Sequence, residues 1–301
     1  MPLPTTALRR PSLLIVGCGD VGMRVLKLLR GRWRVLALTS SAERTAALRQ
    51  AGAVPLLGNL DDPATLGRLG GLADAVLHLA PPPGQGAADT RTQHLLRALA
   101  RGGRVRRLVY ASTTGVYGDC GGAFFDETRS LQPATDRGRR RVDTEARVRT
   151  FGRHTGACVT VLRIPGIYAA DRPGGHPRER LQRGTPVLVR EDDVFTNHIH
   201  ADDLARACLA ALARGLPQRV VHASDDSDLR MGDYFDLAAE LCGLPKPERI
   251  TRAEAQTRLP PMLLSFMSES RRLDNRRLRR ELKLRLRYPT VAEGIVAGLA
   301  P

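Results

Sequence analysis

Three glycines at G-x-G-x-x-G spacing, Gly17, Gly19 and Gly22, separate an apolar run, Leu13 to Val16, from a helical pattern that carries on to about Arg30. A strand that turns this sharply into a helix can hold a pyrophosphate. The first glycine permits the turn, the second lets backbone approach the anion, and the third lets helix and strand pack closely, with the helix N-terminus facing the charge. Asp20 and Val21 complete the loop. The residue that closes the next apolar run should then meet the adenosine ribose, where an acid would bind a free 2′-hydroxyl and a basic residue a 2′-phosphate. Here the stretch reads ALTSSAER, with Thr39 and Ser40 where an acid would stand and Arg44 a turn later. This favours NADP while leaving NAD open.

Such a loop works only if a sheet holds it. β-branched runs at 13–16, 34–39, 75–80, 108–112 and 159–163, with helical patterns at 22–30, 43–51, 91–100 and 139–150, predict an α/β fold with a doubly wound parallel sheet. Ser40 and Glu43 have the spacing of a capping box for the second helix. Residues 218–223 form one more buried run, and 231–242, 275–281 and 291–299 form further helices. The resulting division is a Rossmann domain over 11–165 and 194–225, with a small substrate lobe over 166–193 and 226–301.

The 301 residues suffice for one large domain with such a lobe. No run approaches the roughly 18 apolar residues of a membrane span, and the N-terminal stretch has no apolar core of a signal peptide, so a cytoplasmic location is expected and no membrane association. The five cysteines (18, 120, 158, 208, 242) are scattered and read as buried free thiols rather than disulfides or a metal site. The net charge of +16 would suit an anionic partner, yet only three residues are lysine and the arginines run the length of the chain, while aromatics are 4%. Such a distribution gives no base-stacking platform, so no specific nucleic-acid partner is expected.

The ordered landmarks GCGDVG, GNLDD (58–62), ADAVLHLAPP (73–82), VYASTTGVYG (109–118), LRIPGIY (162–168) and NHIHADDLARA (197–207) resemble the short-chain dehydrogenase/reductase superfamily, in its extended or atypical branch of NAD-dependent epimerase/dehydratase-like proteins. The resemblance implies that Asn59 and Leu60 lie beside adenine and Leu79, Ala80 and Pro81 beside the cofactor ribose and phosphates. It also places Pro165 among the cofactor contacts and gives Thr113 the place of the catalytic Ser or Thr. That family moves a proton with a Tyr whose pKa is lowered by a Lys four residues on. In matching register, Glu127, Pro133, Thr135, Gly138 and Glu145 keep the pattern, but Arg137 stands in the Tyr slot and Arg141 in the Lys slot. None of the five tyrosines has a lysine four residues later. Gly166 replaces the Asn that nucleotide-sugar epimerases offer to the substrate diphosphate.

The candidates left for chemistry are Thr113, Tyr117 and Arg141, with Glu127 as a replacement acid and His176 on a Gly/Pro-rich loop that would overhang the cleft. Arg139–Asp143 and Arg141–Glu145 are spaced for i,i+4 ion pairs. His198 and His200 flank Ile199 without a third ligand, so no metal is expected, and the strand they form should run into a helix capped by Asp202 or Asp203. Arg271 and Arg272 could face the substrate, itself unidentified, or a second protomer in a homodimer. The sequence thus supports an NAD(P)-dependent oxidoreductase or epimerase-like protein with an atypical active site. The alternative is a cofactor-binding sensor or scaffold without turnover.

Overall fold

The computed structural model describes residues 10–29 and 31–299. Seven strands form the central sheet: β1 (Ser12–Val16), β2 (Arg34–Thr39), β3 (Val54–Leu57), β4 (Ala75–His78), β5 (Arg107–Thr113), β6 (Cys158–Ile164) and β7 (Arg219–His222). Their order is β7-β6-β5-β4-β1-β2-β3, and every pairing is parallel. The apolar runs are continuous because both faces are covered; β1 and β4 are buried along their whole length. Only β3 escapes the sequence reading. It is a half-exposed edge strand of sequence VPLL, and proline is tolerated at an edge because that side makes no ladder bonds.

Helices α1 (Asp20–Leu29), α2 (Arg44–Gln50), α3 (Thr90–Ala100), α4 (Asp136–Thr155) and α5 (Ala201–Arg214) lie on the two faces. One apolar core joins α1 and α5 to the sheet, and another joins α3 and α4 to it. The strand order reverses between β1 and β4. In doubly wound sheets ligands bind in the crevice beyond that switch point, which is where the glycine loop lies.

A third core, including Tyr168, Val187, Met231, Tyr234, Phe235 and Ile250, builds the lobe around α6 (Met231–Cys242). The C-terminal stretch does not stay there. Leu278, Leu282, Leu284 and Leu286 pack into the Rossmann core with α1 and α5, although the sequence division gave residues 226–301 to the lobe. Of the cysteines, 18, 120 and 208 are buried, 158 and 242 partly exposed, and all are free. No helix among the described residues is long and apolar enough to cross a membrane.

Candidate active site

The three glycines do three different things. Gly17 has φ +82°, and a Cβ there would lie 2.5 Å from the Ala80 backbone nitrogen, so both conformation and contact demand glycine. Val16 O accepts from Leu79 N (2.8 Å) and Ala80 N (3.0 Å), which fixes the crossing of the β1 and β4 exits. At Gly22 a Cβ would meet Cys18 Sγ at 3.0 Å and Ile15 at 3.5 Å, the close helix–strand packing the spacing implies. Gly19 is different: a Cβ would touch nothing within 4 Å. Its lack of a side chain therefore serves no internal packing and leaves room for a ligand against the backbone at the start of α1.

The adenosine end is less as expected. Thr39 is buried with its hydroxyl bonded to Ser41 N and O, and Ser40 is exposed. The Ser40–Glu43 capping box does not form, since α2 starts at Arg44 with Glu43 already in helical conformation and no side-chain cap. Arg44 reaches back across the loop, Nη2 donating to Cys18 O at 2.6 Å. Asn59 accepts from Asp61 N at 3.0 Å, and Leu60 O is 2.8 Å from His94 Nδ1. Val21 packs against the core beneath the loop. Asp20 is committed to protein partners, accepting from Arg24 Nε (3.1 Å) and Arg172 Nη1 (2.8 Å).

Beyond β5 and β6 a cavity of about 540 Å³ opens between the sheet and the lobe. Thr113, Arg137 and Pro165 line it, together with His176, Arg180, His198, Tyr234, Phe266 and Arg271. Thr113 Oγ1 accepts from Gly115 N at 3.3 Å, which leaves the hydroxyl proton available to another acceptor. His176 caps the helix Pro177–Gln182 through Arg178 N, and Arg172, Gly174 and Gly175 of its Gly/Pro-rich loop line the cavity with it. Arg271 donates to Thr114 O (2.7 Å) and Glu269 (2.6 Å). Arg272 turns to the outside and pairs with Asp228. The lobe contributions Arg180, Tyr234 and Phe266 have no motif of their own and could not be picked out in the sequence.

Arg141 is not among the residues that line the cavity; it donates to Tyr110 Oη (2.9 Å) and Ala111 O (2.8 Å). A phenol and a cation thus meet near the end of β5, but Tyr110 is fully buried and burial raises its pKa. Tyr117 is not brought to the cavity. Its side chain is 1% exposed, and its hydroxyl lies 2.6 Å from both His222 Nε2 and Arg163 Nη1. Because His222 Nδ1 donates to the Asp274 carbonyl (2.9 Å), Nε2 is the acceptor of the hydrogen bond that the Tyr117 hydroxyl donates. Burial, partly offset by Arg163, pushes the Tyr117 pKa up to about 12. Glu127 also faces away from the cavity, accepting from His222 N at 2.8 Å and pairing with Arg277 at 3.1 Å.

The expected ion pairs along α4 are exchanged for others. Arg139 pairs with Asp136, Asp143 with Arg147, and Glu145 with Arg163 on β6 in a buried two-pronged contact at 2.7 and 3.1 Å. Ser112 Oγ donates to the same carboxylate at 2.6 Å. His198 and His200 form the predicted strand, but the cap of α5 is His200 itself, through Asp202 N; Asp203 instead holds the backbone of Arg287 and Tyr288. Burial lowers the His198 pKa to about 4, so the ring is neutral, stacked on Tyr234 at 4.2 Å. No cluster among the described residues could hold a metal ion.

A parallel sheet in this order, with a left-handed glycine against the opposite strand's exit and a cleft over the carboxyl ends, defines a Rossmann-type protein. The sequence pattern of the NAD dependent epimerase/dehydratase family matches residues 13–223, and the chain belongs to that family. It is 26% identical over 246 residues to protein YeeZ of Escherichia coli K12, covering 79% of this chain and 86% of that one. Similarity to human dTDP-D-glucose 4,6-dehydratase is 25% over 161 residues, 51% of this chain and 44% of that protein. A conserved protein of unknown function from Silicibacter pomeroyi DSS superposes with TM-score 0.81 at 31% identity, covering 96% of this chain and 98% of that one. UDP-glucose 4-epimerase from Thermotoga maritima has the same fold, with TM-score 0.76 at 22% identity and coverage of 96% and 97%.

Proposed function

We propose that this chain binds a nicotinamide dinucleotide, NADP in preference to NAD, and works as an oxidoreductase or epimerase/dehydratase whose proton chemistry does without a Tyr–Lys pair. The observation that carries the reading is the open face of Gly19, beside the left-handed Gly17, at the N-terminus of α1. Loop N–H groups and the positive end of the helix would hold the pyrophosphate. Arg44, already over the loop, would meet a 2′-phosphate; Asn59 and Leu60 would flank adenine, and Leu79, Ala80 and Pro81 the ribose and phosphates.

The dinucleotide supplies hydride transfer when bound. The chain's own groups bind, orient and stabilise charge. Thr113 keeps a hydroxyl proton for a substrate oxygen. Arg137, on the cavity wall, favours negative charge developing on that oxygen, and a guanidinium cannot itself serve as acid or base. Proton exchange falls to water in the cleft. Fluorescence titration with NADPH and NADH tests the reading: binding in the micromolar to millimolar range supports it, and none contradicts it.

The second reading, a dinucleotide sensor without turnover, draws on the commitment of Tyr117 to His222 and Arg163. Following cofactor absorbance at 340 nm across a panel of carbonyl compounds separates the two, since a sensor would bind cofactor and consume none.

A further inference from the structure

The cavity carries cations that no carboxylate among the described residues neutralises. Five arginines (Arg137, Arg172, Arg180, Arg183, Arg271) line it against two glutamates, Glu179 and Glu269. Arg172 is met by Asp20 and Arg271 by Glu269. Arg180 is met by neither. Its Nε is buried without a hydrogen-bond partner among the described residues, Nη2 reaches the Pro186 carbonyl only at 3.3 Å, and Nη1 reaches the Met231 sulfur at 3.9 Å. It lies 4.3 Å over the Phe235 ring, and burial draws its pKa down to about 10. Arg163 and Arg24, both withdrawn from water, have one and three carboxylate partners respectively. A guanidinium left without one costs free energy that a bound anion would recover.

Arg137 is a second cation on the cavity wall, with its side chain open to water. It projects into the cleft, 5.1 Å over Phe266. Lost hydration, and then the charge of Arg141, pull its pKa below the ordinary arginine value. Glu269, the carboxylate acting on it, is already bonded to Arg271. The guanidinium therefore shares the cavity wall with Thr113 and makes no hydrogen bond to another described residue.

We propose that this cavity binds a small organic anion, phosphorylated or carboxylated, with Arg137 and Arg180 as its charged contacts, so that the substrate brings negative charge to the slot a tyrosine fills in the resembling family. The volume suits a small molecule. The proposal rests on the dinucleotide reading for the place of reaction, but its binding test stands apart from it.

The test is calorimetric titration of the full chain, with and without saturating NADPH, using glycerol 3-phosphate, malonate and glycerol as probes. Wild type, Arg137→Gln, Arg180→Gln and the exposed surface control Arg49→Gln are compared. One or both anions should bind, with at least a tenfold loss in Arg137→Gln and Arg180→Gln, no loss in the control and no binding of glycerol; the tighter anion identifies the charged group. Arg180→Gln should melt no lower than wild type, since it removes an unpaired cation, and Arg180→Lys provides a conservative variant should Gln fail to fold. Equal anion binding by all four proteins would reduce the effect to surface charge and overturn the proposal. NADPH binding without anion binding would overturn it and leave the dinucleotide reading standing. Arg137-dependent anion binding without NADPH binding would do the reverse.

Discussion

Arg172, on the cavity wall, donates a 2.8 Å hydrogen bond to Asp20 in the first turn of the helix that follows the glycine loop. The same carboxylate accepts from Arg24, which also holds Asp171 and Asp202. The proposed phosphate cradle and the lobe loop that lines the cavity are therefore tied through one carboxylate. Ligands on the two sides should influence each other: wild type should bind the cavity anion more tightly with NADPH present, by about 5-fold or more. Arg172→Gln should shrink that ratio towards one. Equal ratios in the two proteins, by calorimetry, would mean that the contact is only structural.

Arg44 is predicted to set cofactor preference. Its guanidinium has a single described anchor, the Cys18 carbonyl, and nothing in the fold depends on it. Arg44→Ala should weaken NADPH by about tenfold, the worth of a charge-assisted contact, and NADH by no more than about twofold. Equal loss for both dinucleotides, measured by fluorescence titration, would remove the 2′-phosphate role.

The Glu145–Arg163 pair predicts a stability pattern. Both side chains are buried, with Ser112 and Tyr117 bonded to them. Glu145→Gln should destabilise by about 3 kcal/mol, because it strands a buried guanidinium, while a double replacement by apolar residues should cost much less. Denaturant melts decide it; a larger loss in the double variant would contradict this account.

Three histidines predict acid sensitivity. Burial holds His78 and His198 at a pKa of about 4 and His222 at about 3, below the ordinary 6.5. Between those values the unfolded chain binds more protons than the folded one, so stability rises with pH through this window and is level above about 6.5. Each imidazole should forfeit roughly 2 kcal/mol by pH 5. Thermal melts from pH 8 to 5 should show the fall; melting temperatures unchanged over that range would contradict it.

The sheet and glycine loop were readable because they rest on local rules: apolar runs buried on both faces, and glycines at positions where a side chain would collide. Gly17 and Gly22 meet those rules through Ala80, Cys18 and Ile15. Of the two arginines that the resemblance puts in the Tyr and Lys slots, Arg137 lines the cavity and Arg141 does not. What failed was pairing. Spacing offered Arg141 to Glu145 and Glu127 to the cleft, but a strand 18 residues on claimed Glu145, and β7 claimed Glu127 through His222 N. A strong charge partner supplied by a distant element outweighs an exposed i,i+4 contact, and sequence spacing does not register it. The cavity's far wall was hidden for the same reason, since Arg180, Tyr234 and Phe266 meet only through the lobe's packing.

The most direct test of the central claim uses Gly19, where the fold has room for a side chain and the proposed dinucleotide does not. Calorimetric titration of NADPH and NADH into wild type and Gly19→Val should show binding to wild type and a loss of at least about 100-fold in the variant, with unchanged melting temperature. Undiminished binding by Gly19→Val, or no binding by wild type at millimolar dinucleotide, would contradict the assignment of this loop.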